Sequence, residues 1–205
     1  MAKYDIDPNK RTEIYQDVLN ELGNIGAGNA ATALATMVNS TIRLSVTTVT
    51  LCSAEEIVAK VTPNGETLTG IHLNIVGQIQ GRMLFVLPNG DNVDSLCSAL
   101  MMGMDPSMIP DEMKVSALQE VGNIITASYI NSISSMTGLM IDESVPTVVK
   151  DSTFMGILES MGVTNEKILL VQSRLSADSA AVSGFFMFVP TTASFSVLLN
   201  SLGIL

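Results

Sequence analysis

The pattern E-x-x-N occurs twice in similar surroundings, as Glu21 with Asn24 and again as Glu120 with Asn123. A carboxylate offers hydrogen-bond acceptors, and a carboxamide offers both donors and acceptors. On a helix each residue advances about 100°, which places Asp17, Glu21 and Asn24 within an arc of about 60° as one polar stripe. Ser116, Glu120 and Asn123 have the same spacing. The other side of each helix is apolar, with Tyr15, Val18, Leu19 and Leu22 in the first and Leu118, Val121 and Ile125 in the second. The stripes are therefore expected to face outward from packed helices. Exposed Glu and Asn are common on helices, and a solvated face is the plain reading of one copy. Two copies in register shift that balance, because packing does not explain a retained exposed pair.

The duplication extends beyond the motif. Residues 17 to 25 read DVLNELGNI and residues 116 to 124 read SALQEVGNI. At the same offset Met37 meets Met136, Ile42 meets Ile141, and Thr48-Val49 meets Thr147-Val148. Further on, MLFVLP at 83 to 88 resembles FFMFVP at 185 to 190, and each precedes a helical pattern ending in Gly, at Gly103 and Gly203. Repeats of this kind reveal architecture before any local pattern does. The two copies span about residues 12 to 103 and 111 to 203 of one domain covering 1 to 205.

Each copy reads as a long helix, one or two strands, a short helix, a strand hairpin and a closing helix. Helical spacing covers 12 to 38 and 111 to 137, and β-branched residues mark strands at 42 to 50 and 141 to 149. Short helices are expected at Ala54 to Lys60 and Ser152 to Met161. The hairpins are expected at Leu68 to Val76 with Gly81 to Leu87, and at Ile168 to Ser173 with Ala180 to Val189. Asn89 or Asp91, and Thr191, are candidate N-caps of the closing helices. The expected fold is α+β, an internally duplicated pseudo-two-fold domain whose shared β-sheet packs against the two long motif-bearing helices. Gly23, Gly26 and Gly28, with Ala27, Ala30 and Ala31, lie around the first stripe. Their small size suits either close approach by a partner or close packing inside.

Other chemistries are poorly served. His72 is the only histidine and alternates with apolar residues as a surface strand residue would; Cys52 and Cys97 lack a second thiol at metal-ligand spacing. Both thiols are expected to be buried and reduced. GNIGAG lacks the preceding strand and following Lys-Ser/Thr of a phosphate loop. With 10 basic against 20 acidic residues, net charge −10, nucleic acid and anionic lipid are unfavourable partners. The N-terminal MAKYDIDPNKRTEIYQ is too polar for the apolar core of a signal peptide, and apolar runs fall short of the ~20 residues that span a bilayer. A cytoplasmic protein without membrane insertion is expected. The thirteen methionines are expected mainly as core filling.

ELGNIGAGNAATALA together with EVGNIITASYINSIS resembles the CheC/CheX/FliY family of chemotaxis phosphatases, with its signature [DS]-x-x-x-E-x-x-N. Asp17, Glu21 and Asn24 fit it, as do Ser116, Glu120 and Asn123, and the resemblance covers nearly the whole chain. Two intact motifs in a chain of this size favour the CheC branch. The resemblance implies a protein substrate, the aspartyl phosphate of the response regulator CheY. Asn24 or Asn123 would orient the attacking water, and Glu21 or Glu120 would pair with the regulator's active-site Lys. Asp17 and Ser116 would make docking contacts. No cofactor of the chain's own is implied, and Mg²⁺ is expected on the regulator. A non-catalytic binder of phosphorylated CheY, or of the receptor deamidase CheD, is the alternative. CheD is an implied partner, with the helix at Ser152 to Met161 as candidate surface. The second copy carries Ile125, Thr126 and Ala127 where the first has Gly26, Ala27 and Gly28, which predicts weaker docking there.

Overall fold

The computed structural model describes residues 8–38, 41–89, 91–163, 168–177 and 180–203. The first copy comprises α1 (Pro8–Val38), β1 (Ile42–Cys52), α2 (Ala54–Val61), β2 (Leu68–Gly77), β3 (Gly81–Pro88) and α3 (Asp91–Leu100). A single 3₁₀ turn, Pro106–Met108, leads to the second copy. That copy comprises α4 (Asp111–Thr137), β4 (Ile141–Glu143), β5 (Thr147–Ser152), α5 (Phe154–Ser160), β6 (Ile168–Ala177), β7 (Ala180–Pro190) and α6 (Thr192–Ser201).

The seven strands form one antiparallel sheet in the order β1-β6-β7-β3-β2-β4, with β5 also paired to β2. The copies are interleaved. β1 of the first lies beside the second copy's hairpin, and β4 and β5 of the second lie beside the first copy's hairpin. The pseudo-two-fold axis passes through the central β3–β7 ladder, where Leu84 faces Met187 and Phe85 faces Phe186. These central strands are covered on both faces and are apolar at nearly every position, as strands in the middle of a layered fold must be.

Successive residues of β3 and β7 feed two separate cores. Met83, Phe85, Phe186 and Phe188 join Leu22, Leu34, Leu118 and Val121 under α1 and α4, with Leu96 of α3 and Leu198 of α6. Leu84, Val86 and Met187 join Ile57 of α2 and Phe154 and Ile157 of α5 on the opposite face. The motif helices thus share one side of the sheet and the short helices the other. α1 crosses α4 where Gly26 abuts the Tyr129 ring and Asn29 Nδ2 donates to Ser132 Oγ at 3.2 Å. Tyr129 in turn stacks on Phe186 with ring centroids 4.1 Å apart.

The helix ends follow local chemistry. Asp111 and Glu112 complement the positive end of α4, and Gly138 closes it at φ 71°, a conformation that a Cβ would disfavour. Thr191 caps α6 by accepting from the Ser194 amide, as its sequence context predicts. Asn89, one of the two N-cap candidates for α3, has partners outside that helix. Its side chain donates to Thr67 Oγ1 at 2.8 Å and to Asp151 Oδ1 at 2.9 Å, and accepts from Thr69 Oγ1 at 2.8 Å.

The strand expected at 141 to 149 is in fact two, separated by Ser144, Val145 and Pro146. Pro146 has no amide hydrogen to give to a ladder, so pairing lapses there. The first copy shows only an irregularity between Val46 and Thr48 at the matching place. The methionines also depart from expectation. Met83, Met161 and Met187 are core residues, but Met102, Met104, Met108 and Met113 stand exposed around the connector to α4, with others elsewhere on the surface.

Candidate functional site

Both polar stripes face solvent. On α1, Asp17, Glu21 and Asn24 are all exposed, while Leu22 is 3% exposed and Gly23 is buried on the inner side. The side chains of Tyr15 and Leu19 lie outside the described residues. On α4, Ser116 and Glu120 are exposed and Asn123 is half-buried; Leu118, Val121 and Ile125 supply the inner face. The structure therefore places each set of three predicted residues on one outward helix face.

The small residues around the first stripe are mostly internal. Gly23, Gly26, Ala27 and Ala30 are buried, and a Cβ on Gly26 would overlap Tyr129. Gly122 plays a comparable part in the second copy, where Ile71 occupies the space a Cβ would need. Gly28, by contrast, is exposed, and a Cβ added there would meet nothing within 4 Å. This removes the reason for expecting the second surface to be obstructed. Ile125 and Thr126 are each 1% exposed and point inward, so they do not stand in a partner's way.

A different asymmetry takes its place. The second stripe opens into a cleft of about 400 Å³ lined by Ser116, Gln119, Glu120, Asn123 and the segment Glu143 to Pro146. Gln119 Nε2 donates to the Pro146 carbonyl at 3.0 Å, tying α4 to the break between β4 and β5. Ser116 Oγ donates to the Glu112 carbonyl at 2.9 Å, an intrahelical bond that leaves its lone pairs available to a partner. Burial, and secondarily the neighbouring Asp142, pushes the Glu143 carboxyl above its ordinary range. Sequence reasoning missed Gln119, Glu143 and Ser144. Pro146 within a β-branched run was the signal that could have exposed them.

Neither the cysteines nor His72 lines the cleft beside the second stripe. Cys52 and Cys97 are buried free thiols, and burial raises the Cys97 pKa despite the opposing pull of Lys114. His72 is half-buried on β2, more enclosed than a surface strand residue, and burial, then Arg82, lowers its pKa. Among the described residues no cluster of His, Cys, Asp and Glu could hold a metal ion, and no helix is long and apolar enough to cross a membrane.

The profile of a family described as the CheC-like family matches residues 14–49 and 113–149, the two motif helices with the strands that follow. Over 142 residues the chain is 33% identical to the protein named CheY-P phosphatase CheC of Bacillus subtilis (strain 168), covering 68% of each. It is 30% identical over 159 residues to the flagellar motor switch phosphatase FliY of the same organism, matching with 76% of its own length and spanning 38% of that larger protein. In fold it is similar to Thermotoga maritima FliY, with TM-score 0.71 and 20% identity over 97% of this chain and 98% of that one. With 33% identity over 68% of each chain to that first relative, and with the family profile matching both motif helices, the chain belongs to the CheC-like family.

Proposed function

We propose that this chain hydrolyses the aspartyl phosphate of a CheY-type response regulator, using Glu21 with Asn24 and Glu120 with Asn123 as two sites. The observation that carries the reading is the outward projection of both Glu–Asn pairs from equivalent helices whose other faces are locked in the core. The relative named CheY-P phosphatase CheC supports the choice of substrate.

The division of labour suits these residue types. Phosphoryl transfer needs chiefly positioning and charge stabilisation. A regulator that brings its own Mg²⁺ and Lys leaves the phosphatase to supply a register and a water. The Asn24 or Asn123 amide would hold that water in line with phosphorus, donating to it or accepting from it as the geometry requires. Glu21 or Glu120 would pair with the regulator's Lys and fix the helix across its active site. Asp17 and Ser116 would contact the rim. The net charge of −10 favours approach of a partner with a basic face.

Turnover separates this reading from a binding module. Substoichiometric protein should clear an excess of phosphorylated regulator and release inorganic phosphate. Protection of the phosphate in proportion to the protein added would contradict the reading.

A second partner, the receptor deamidase CheD, is proposed for α5, on the opposite side of the sheet from both stripes. Met155 is 41% exposed there and Glu159 is also exposed. Charge reversal at Glu159 should weaken CheD binding without touching phosphate release, and unchanged binding would count against this surface.

A further inference from the structure

The two copies diverge where the strand following each motif helix passes beneath the motif. In the first copy, Leu44 and Val46 pack against the core on the α1/α4 side. The matching positions in the second copy are Glu143 and Val145. There the strand breaks, Val145 rises to 81% exposure, and Glu143 lines the same cleft as Glu120 and Asn123.

The break is held in place at both ends. Ser144 Oγ accepts from the Asn74 amide at 2.9 Å, and the Ser144 amide donates to the Asn74 carbonyl at 2.9 Å. At the far end Gln119 holds the Pro146 carbonyl. Glu143 is thus presented by a braced wall. A partly desolvated carboxylate regains favourable interaction when a cation replaces its lost hydration, and two carboxylates lining one cleft attract a cationic side chain more than one does.

We propose that Glu143 is a specificity-determining residue of the second site, where it receives a Lys or Arg of the docked regulator beside the basic group paired with Glu120. The first site, with Leu44 at the matching position, has no such acceptor from its strand. The second site would therefore favour regulators that present two basic side chains around the phosphorylated Asp. This rests on the reading that the cleft docks a phosphorylated regulator.

The test uses the full chain carrying Glu21→Ala and Asn24→Ala, so that only the second site operates. In that parent, Glu143→Gln should raise KM for phosphorylated regulator about fivefold with kcat unchanged, as expected for loss of roughly 1 kcal/mol of uniform binding. The effect should shrink with added salt, and Glu143→Asp should restore part of the loss. Glu55→Gln, an exposed acid on α2 across the sheet, is the charge-matched control and should leave KM unchanged. A KM within twofold of the parent for Glu143→Gln overturns the proposal. If the parent itself releases no phosphate, the second site's phosphatase role fails separately. Calorimetric titration with beryllofluoride-activated regulator then still decides the matter, and an unchanged Kd for Glu143→Gln overturns the assignment.

Discussion

Gly26 of α1 lies face to face with the ring of Tyr129 on α4, so close that the glycine has no room for a Cβ. That contact joins the two motif helices at their crossing and fixes how the polar stripes are carried. Gly26→Ala should cost about 1–3 kcal/mol of stability through overpacking. Gly28→Ala, two residues on and open to solvent, should be neutral or gain up to ~1 kcal/mol from helix propensity. Urea denaturation of the two variants checks the contrast, and equal effects would mean that the helix crossing is looser than the contact implies.

Asn89 joins β2 and the end of β3 to β5 through Thr67, Thr69 and Asp151. Thr69 is only 3% exposed, so Asn89→Ala leaves its hydroxyl buried without this partner. The expected cost is about 1–3 kcal/mol. A thermal or denaturant midpoint indistinguishable from the native chain would show that another group takes over the hydroxyl.

Much of this arrangement was legible in the sequence. The 3.6-residue spacing placed α4 correctly and brought each Glu–Asn pair to a helix exterior, because apolar periodicity is a local record of which face is buried. The hairpins were equally visible as apolar, β-branched runs between turn residues. Partner identity was not. Nothing near β1 says that it pairs with β6 of the other copy, and nothing near Gly26 says that Tyr129 will rest on it. The break at Ser144 to Pro146 was hidden inside a run that reads as strand, and the cleft wall went unseen with it. The exposure of Met102, Met104, Met108 and Met113 is not legible either, because methionine content does not distinguish a core filler from an adaptable surface.

Cys52 and Cys97 are 2% and 0% exposed, and burial raises the Cys97 pKa. Less thiolate and no access both suppress reaction. Neither thiol should react with Ellman's reagent at neutral pH in the folded chain, and both should titrate after denaturation. Rapid reaction of a thiol in native buffer would show that its core opens readily.

By the proposed mechanism the side-chain amides of Asn24 and Asn123 each orient the attacking water at one of two sites. Phosphate release from phosphorylated regulator should persist in Asn24→Ala and in Asn123→Ala, each at a reduced rate. The double variant should fall to the regulator's own rate of dephosphorylation. A double variant that still released phosphate at the native rate would contradict the account.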